Sequence, residues 1–529
     1  MEPAVPREND PFARLTPPQR EAVTAEDQRL AVFAGAGAGK TRVLTLRVAR
    51  MVDDGVDPTH VLAITFSRKA AQELRRRLWN LGIEGIRTGT FHRTALELVE
   101  IYRTERSLSP LSLLSDRRRV LERLVEETPS IHHTMASAFL DTEITWAKST
   151  GLNPESYARA VAQTRRRPTL GAQVVVDVWS RYEEEKTRQG WIDFDDLIIE
   201  AARALEDPTF AEAIHWRSRH VLVDEFQDVN PMQFAMITRL LSPAATLFCV
   251  GDPNQSIYGF NGADPSLLRT LDRRIEGTRI IVLDANHRSS PEIVSSAAAV
   301  LPSNSGADVR ATQNSGAIPE LVSSVDDFEE ATFVASKLRG LRVSGRSWRS
   351  FAVLARTNAQ LVLIADTLKA NGIPCEYLAP DLARASDVRK PVDLERPHVV
   401  EEHGDAVALG TFHRAKGLEW SSVFVVGVSD GFVPHRGASS PEANDEERRL
   451  LYVAMTRAEQ ELIVTWSARK VADETSSPAR RRSPFLDPFE EALSILRAEQ
   501  RPVASQQGVH HVTKLREQLA RQREGEESV

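Results

Sequence analysis

The run Ala34-Gly35-Ala36-Gly37-Ala38-Gly39-Lys40-Thr41 constrains this chain more than any other stretch. It follows an apolar segment, Leu30–Ala34, that reads as a buried strand, and it opens a helical segment, Lys40–Val52. Small residues let the backbone curl until its N–H groups and the helix N-terminus face one point, an arrangement that holds phosphate. Lys40 is then placed for β- and γ-phosphates and the Thr41 hydroxyl for Mg²⁺. The strict pattern has glycine where Ala34 stands, so the match is imperfect at its first position. A glycine-rich turn that only caps a core helix would read much the same. Leu222-Val223-Asp224-Glu225 weighs against that alternative, because it sets two carboxylates at the carboxyl end of a second apolar strand. Asp224 suits a metal holder and Glu225 a base that orients water, the two groups that phosphoryl transfer to water requires. On a strand that could neighbour the first, this pair makes the chain read as an ATPase.

Composition narrows the setting. The chain has 529 residues, room for about three or four domains. With 41% hydrophobic and 27% charged residues it reads as globular, and no apolar run approaches the ~18 residues of a membrane span. The first ten residues lack the apolar stretch of a signal peptide, and only Cys249 and Cys375 occur. A cytoplasmic protein with no membrane partner is expected. The net charge of −7 argues against a simple nucleic-acid coat but not against a nucleic-acid enzyme, since a local basic groove suffices. Arginine clusters at 75–77, 117–119, 165–167 and 480–482 read most simply as solvated helix faces.

The organisation is that of an α/β protein. Strand, glycine turn, helix and strand alternate up to His92, with Val61–Phe66 and Arg68–Leu78 as the next strand and helix. From 93 to 190 the alternation gives way to an all-helical insertion. It returns at His220–Asp224 and Thr246–Asp252. A second α/β region follows, with strands expected at Ile280–Leu283, Phe351–Ala355, Ala406–Gly410 and Val423–Val428. Helices are expected at Gln360–Asn371 and Asp445–Ala458, and a charged tail from 471 to 529 that is partly helical at Phe489–Arg497 and Val512–Arg523. The boundaries are 1–92 with 191–275 for the first sheet domain and 276–470 for the second, with a ligand expected between them.

Further motifs run in one order from Leu15 to Arg457, and together they resemble superfamily 1 helicases of the UvrD/Rep/PcrA family. They are Leu15-Thr16-Pro17-Pro18-Gln19, the loop itself, Thr65–Leu74, Gly89–His92, Asp193–Leu197, Val223–Asp228, Val250–Tyr258, Asn286–Ser289, Lys416–Glu419 and Leu451–Ala458. The resemblance implies two tandem RecA-like parallel-sheet domains with ATP between them. It places Gln19 on adenine, Arg42 and His287 beside it, Glu419 on the ribose and Arg77 in support of the phosphates. Residues 34 to 41 would cradle the phosphates, with Thr41 and Asp224 holding Mg²⁺. Lys40, Asp224, Glu225, Gln255, Arg288 and Arg457 become the catalytic set. The family commonly has tyrosine at position 287, which weakens the stacking expected here.

Aromatic faces inside a basic groove hold single-stranded nucleic acid without reading sequence. Phe66, Phe91, His92, Tyr258, Phe260, His413 and Trp420 each stand beside a nucleotide motif. For Phe91 and Trp420 a core position is an equal alternative. The resemblance assigns DNA contacts to Phe66, Arg68, His92, Tyr258, Phe260 and His413, and the family's arginine after the second aromatic is Asn261 here. Family members carry a second helical insertion, domain 2B. Between Tyr377 and Thr411 only Leu378 to Gly410 remain, too few for a domain, so 2B is expected to be absent. No C-terminal nuclease domain is expected either. The expected activity is a 3′–5′ helicase on single-stranded and 3′-tailed duplex DNA in repair or replication. Two other readings stay open: a translocase that needs a protein partner or a second copy to unwind, and a DNA-binding regulator switched by ATP.

Overall fold

Two six-stranded sheets, each parallel throughout, form the frame of the computed structural model. It describes residues 11–500 except 129–130, 132–134, 165, 303–304, 306–308, 344, 379–403, 439 and 471–478. The first sheet contains β1 (Arg29–Ala34), β2 (Val61–Thr65), β3 (Arg87–Thr90), β4 (His220–Val223), β5 (Thr246–Gly251) and β6 (Thr278–Leu283). Their spatial order is β3-β2-β4-β5-β1-β6. The second contains β7 (Glu320–Ser324), β8 (Phe351–Ala355), β9 (Cys375–Tyr377), β10 (Val407–Thr411), β11 (Trp420–Val425) and β12 (Ala458–Ser467), ordered β7-β12-β11-β8-β10-β9. The two RecA-like sheets expected from the motifs are therefore present.

The strands read as continuous apolar runs because both faces of each sheet are covered. Alternate residues serve alternate faces: Leu62, Ile64, Val221 and Val223 enter one core of the first sheet, Val61, Ala63 and Leu222 the other. The second sheet is sandwiched in the same way. A fifth core lies within the insertion, around Leu121, Leu140, Tyr157, Trp179 and Tyr182.

Four sequence expectations shift. The acidic strand β4 does not adjoin β1, because β5 pairs with both and lies between them. Thr278–Leu283, expected in the second region, pairs residue for residue with β1 and is the edge of the first sheet. Helix Phe91–Glu105 buries Phe91, Ala95, Leu98 and Val99 in a first-sheet core, so the insertion's own core begins after it rather than at 93. Part of the expected tail is also core. Helix Leu486–Glu499 inserts Leu486, Phe489 and Leu493 beside Phe485 against the second sheet. The segment expected to replace domain 2B includes 379–403, which lies outside the described residues, as do 471–478 and 501–529 of the tail. Among the described residues no helix is long and apolar enough to cross a membrane.

Phe489→Ala is expected to cost about 3–5 kcal/mol of folding stability, the usual loss for emptying a buried phenyl site. Denaturant unfolding of the full chain measures it; an unchanged midpoint would return the helix to the tail.

Candidate functional site

The loop after β1 and the second domain meet at a cavity of about 690 Å³. Gly37 and Gly39 adopt left-handed φ of +70° and +82°, which turns the loop back before helix Lys40–Asp53. A Cβ on Gly37 would lie 2.6 Å from Asn286 Oδ1 and 2.8 Å from Arg288 Cβ, so glycine is required by close approach as well as by φ. Ala34 and Ala38 are buried in the core of the first domain, and Ala36 in a core of the second. The methyl of Ala34, where the strict pattern has glycine, thus finds a packed place away from the cavity.

The loop residues 37–42, Arg77, Glu225, Gln255, His287, Arg288, Glu419 and Arg457 all line this cavity. Residues separated by more than 400 positions are thereby brought to one space. Ala34, Gly35, Ala36, Gln19 and Asp224 are not on the wall. Gln19 stands behind it, donating to the Ala38 carbonyl at 3.0 Å and lying 3.4 Å from His287 Nε2. The sequence analysis missed Ser290, the loop Gln313–Gly316, Glu459 and Gln460, which also line the space. No signal in the sequence marks that loop, which is polar and aperiodic.

Lys40 folds over the loop, Nζ donating to the Ala34 carbonyl at 3.3 Å. Glu225 holds φ +50°, a left-handed conformation that costs a glutamate on the order of 1–3 kcal/mol and is typical of functional sites. Gln227 fixes its carboxylate: the side-chain N–H donates to Glu225, while its oxygen accepts from the Asp252 N–H at 2.8 Å. Burial, then the neighbouring Glu225 charge, push Asp224 up to about 7. Burial also opposes ionisation of Glu225, but Lys40 and Lys416 outweigh it and hold that carboxyl below its usual range. Of the pair, Asp224 is thus the carboxyl whose ionisation the site opposes and Glu225 the one it favours.

The cations face them from the second domain. Arg457 is only 2% exposed; burial, then Arg288, push its guanidinium down to about 9. It donates to the Val453 carbonyl at 2.8 Å and reaches Gln255 Oε1 at 3.5 Å. Arg288 pairs with Glu419 at 2.7 Å at the cavity mouth. Arg77 pairs with Glu73 at 2.8 Å.

A ring cluster lies beyond Gln255. The centroids of Tyr258, Phe260 and His413 are 5.7–6.3 Å apart, and Phe260 is 44% exposed. Phe66 packs edge-on against Phe91 at 5.2 Å, and His92 against Phe194 at 6.0 Å, while Arg68 is exposed on the first turn of its helix. All six candidates follow the carboxyl ends of strands, where open α/β sheets hold ligands. Phe91 and Trp420 are buried in sheet cores, which settles their equal alternative in favour of packing. The arginine clusters mostly meet nearby acids: Arg76 and Arg77 with Glu73, Arg118 with Glu122, Arg166 with Glu143, Arg482 with Asp487 and Glu490.

Burial, then Arg356, push His413 down to about 4 from an ordinary 6.5. The unfolded chain takes up that proton at higher pH than the folded one, so folding stability falls as pH drops through this window. His413→Gln should flatten the loss between about pH 7 and about pH 5 in denaturant titrations. An unaltered slope would show that the ring is not held neutral by the fold.

Comparison with known proteins matches the geometry. The UvrD/REP helicase N-terminal domain matches residues 15–276, and the UvrD-like helicase C-terminal domain matches 281–380 and 393–469. The ATP-dependent DNA helicase UvrD2 of Mycobacterium tuberculosis is 32% identical over 577 residues, covering 90% of this chain and 81% of the relative. Putative ATP-dependent DNA helicase YjcD of Bacillus subtilis is 28% identical, covering 92% and 83%. DNA helicase II of Escherichia coli is 32% identical over 68% of this chain and 51% of its own length. The two domains match in sequence order and share the cavity between them: the chain belongs to the UvrD/REP helicase family.

Proposed function

We propose that this chain is an ATP-driven motor that moves 3′ to 5′ on single-stranded DNA and separates duplex strands. The observation that carries this reading is the shared cavity: a phosphate-binding loop and Glu225 from one domain face Arg288 and Arg457 from the other. ATP bound there is contacted from both sides, so its hydrolysis alters the relation of the sheets. Lys40 and the loop N–H groups bind the phosphates, Gln19 and His287 the base, Glu419 the ribose. Glu225, ionised and oriented by Gln227, accepts the proton of the attacking water, and Gln255 senses the terminal phosphate. Arg288 and Arg457 meet the charge that develops on the transferred group. Asp224 fits a divalent cation, because it is a buried carboxyl forced beside another charge. With Thr41 it would hold Mg²⁺, which supplies charge neutralisation at the phosphates. The rings of Tyr258, Phe260 and His413, with Phe66 and His92, stack on successive bases, and Arg68 contacts the backbone. The chain works in the cytoplasm.

A second reading has its own support. The alignment with UvrD2 runs over 577 residues yet covers 90% of 529, so the relative carries a long stretch without counterpart here. With the short span from Tyr377 to Thr411, this supports the absence of domain 2B. Such a motor translocates but unwinds poorly unless a protein partner or second copy keeps the strands apart.

Single-stranded DNA should stimulate ATP hydrolysis strongly, and Lys40→Ala should lower the rate by orders of magnitude while leaving the unfolding midpoint in place. Hydrolysis by Lys40→Ala at the parent rate would put the chemistry elsewhere. Strand displacement at low protein concentration should occur on 3′-tailed and not 5′-tailed duplexes, failing as the duplex lengthens. Complete separation of long duplexes by the monomer would sink the second reading, and a preference for 5′ tails the first.

A further inference from the structure

The segment Gln255–Gly259 connects the cavity to the turn that carries Tyr258 and Phe260 of the ring cluster. Its main chain is gripped from the second domain at three points. Lys416 Nζ donates to the Gln255 carbonyl at 2.7 Å, Arg449 Nε donates to the Ser256 carbonyl at 2.9 Å, and the Gly259 N–H donates to Glu446 Oε1 at 3.0 Å. Glu446 and Arg449 stand one turn apart on helix Pro441–Met455. The last turns of that helix, Leu450–Met455, are buried in the second domain and lead directly to Arg457. From Glu446 the helix runs nine positions to its end at Met455, about 14 Å, and Arg457 follows two residues on. One end of this rod meets the cavity and the other holds the turn that carries Tyr258 and Phe260.

Gly259 is part of the fit. Its φ is not in the left-handed region, but a Cβ there would overlap the Glu446 carboxylate. A side chain here would therefore displace the Glu446 carboxylate from the Gly259 N–H. Neither Glu446 nor Arg449 lines the cavity. Both hold main-chain groups, so they follow where the segment sits whatever its side chains are.

We propose that Glu446 and Arg449 are positioning residues that couple occupancy of the ring cluster by single-stranded DNA to ATP hydrolysis at the shared cavity. DNA that shifts the turn shifts the helix through these two side chains, and with it Arg457. The rod gives the coupling a physical carrier with a contact at each end, rather than mere proximity. The inference rests on the motor reading above. Its test keeps the two apart.

ATPase rates of the full chain are measured without DNA and with saturating oligothymidylate, and oligonucleotide affinity is measured separately by anisotropy. Glu446→Ala and Arg449→Ala are expected to keep the DNA-free rate and the KM for ATP. Each should lose about ten-fold of the stimulation, well within the range of ordinary coupling between sites. Glu446→Gln retains an acceptor for the Gly259 N–H and should retain stimulation. Gly259→Ala, whose backbone remains allowed, displaces the carboxylate and should behave like Glu446→Ala. A parent that DNA does not stimulate overturns the motor reading itself. A stimulated parent with equally stimulated Glu446→Ala and Arg449→Ala overturns the coupling role alone. Loss of the DNA-free rate together with thermal stability, with Gln no better than Ala, assigns the contact to folding and overturns it too.

Discussion

A guanidinium almost wholly withdrawn from water organises the cleft between the two sheets. Burying a cation is expensive unless partners offset the lost hydration. Arg457 is met within its own domain by the Val453 and Leu418 carbonyls and the Thr456 hydroxyl, and from the other domain by the Gln255 side chain and the charge of Glu225. Lys416 repeats the arrangement, reaching across to Asp228 and to the Gln255 carbonyl. At this joint Arg457 and Lys416 of the second domain face Glu225 and Asp228 of the first. The compensation is incomplete, since burial pushes Asp228 up to about 7 and its Oδ1 has no hydrogen-bond partner. The relation of the two sheets is therefore held by charges whose balance an anion such as a nucleotide phosphate would change.

A second buried network fixes the insertion to the same frame. Lys148 and Lys186, both nearly inaccessible, reach Asp193 and Asp196 at the start of helix Phe194–Ala204, and Arg117 joins through Asp195. Three cations surround these acids, and the Tyr182 hydroxyl donates to Asp193 at 2.8 Å. Charge satisfied in this way costs heavily if one partner is removed, which makes the joint stiff. Stiffness here has a consequence for the rings. Helix Ala136–Ser149, which carries Lys148, ends against the turn at Gly262, where φ is +89° and any Cβ would strike Ser149. The Phe260 turn is thus held on one side by the insertion and on the other by Glu446 and Arg449.

The parts of this architecture legible in the sequence were those that local rules govern. A glycine-rich turn between strand and helix, an acidic pair at a strand end and apolar runs of strand length each follow from short-range chemistry. What was not legible depends on partners distant in the chain. Nothing local in Thr278–Leu283 says that it pairs with Arg29–Ala34 rather than with the strands that follow it. Glu320–Ser324 and Ala458–Ser467 went unread as strands, although Glu320–Ser324 pairs along its length with Ile463–Ser467. Helix Leu486–Glu499 carries Leu486, Phe489 and Leu493 on one face, and only their packing against the second sheet's core explains their burial. The Gln313–Gly316 wall of the cavity has no periodicity to read at all.

The departures from the family pattern share one physical feature: at each, the main chain makes the contact. Ala34 turns its methyl into the first core and leaves the loop N–H groups as they were. At His287 the backbone N–H donates to the Gly37 carbonyl at 2.9 Å, while ring Nδ1 lies 2.8 Å from Thr312 Oγ1, so the ring is anchored at both ends. Asn261 closes its turn through its N–H on the Tyr258 carbonyl at 3.0 Å, a bond any residue but proline can make. Side-chain identity is therefore free to drift at positions 34 and 261, whereas the His287 ring lines the cleft. Identity is constrained instead where a side chain itself projects into the cleft, as Lys40, Gln255, Arg288 and Arg457 do. The same logic applies to Gly259 although it bears no side chain: a Cβ there would displace the Glu446 carboxylate from its main-chain contact.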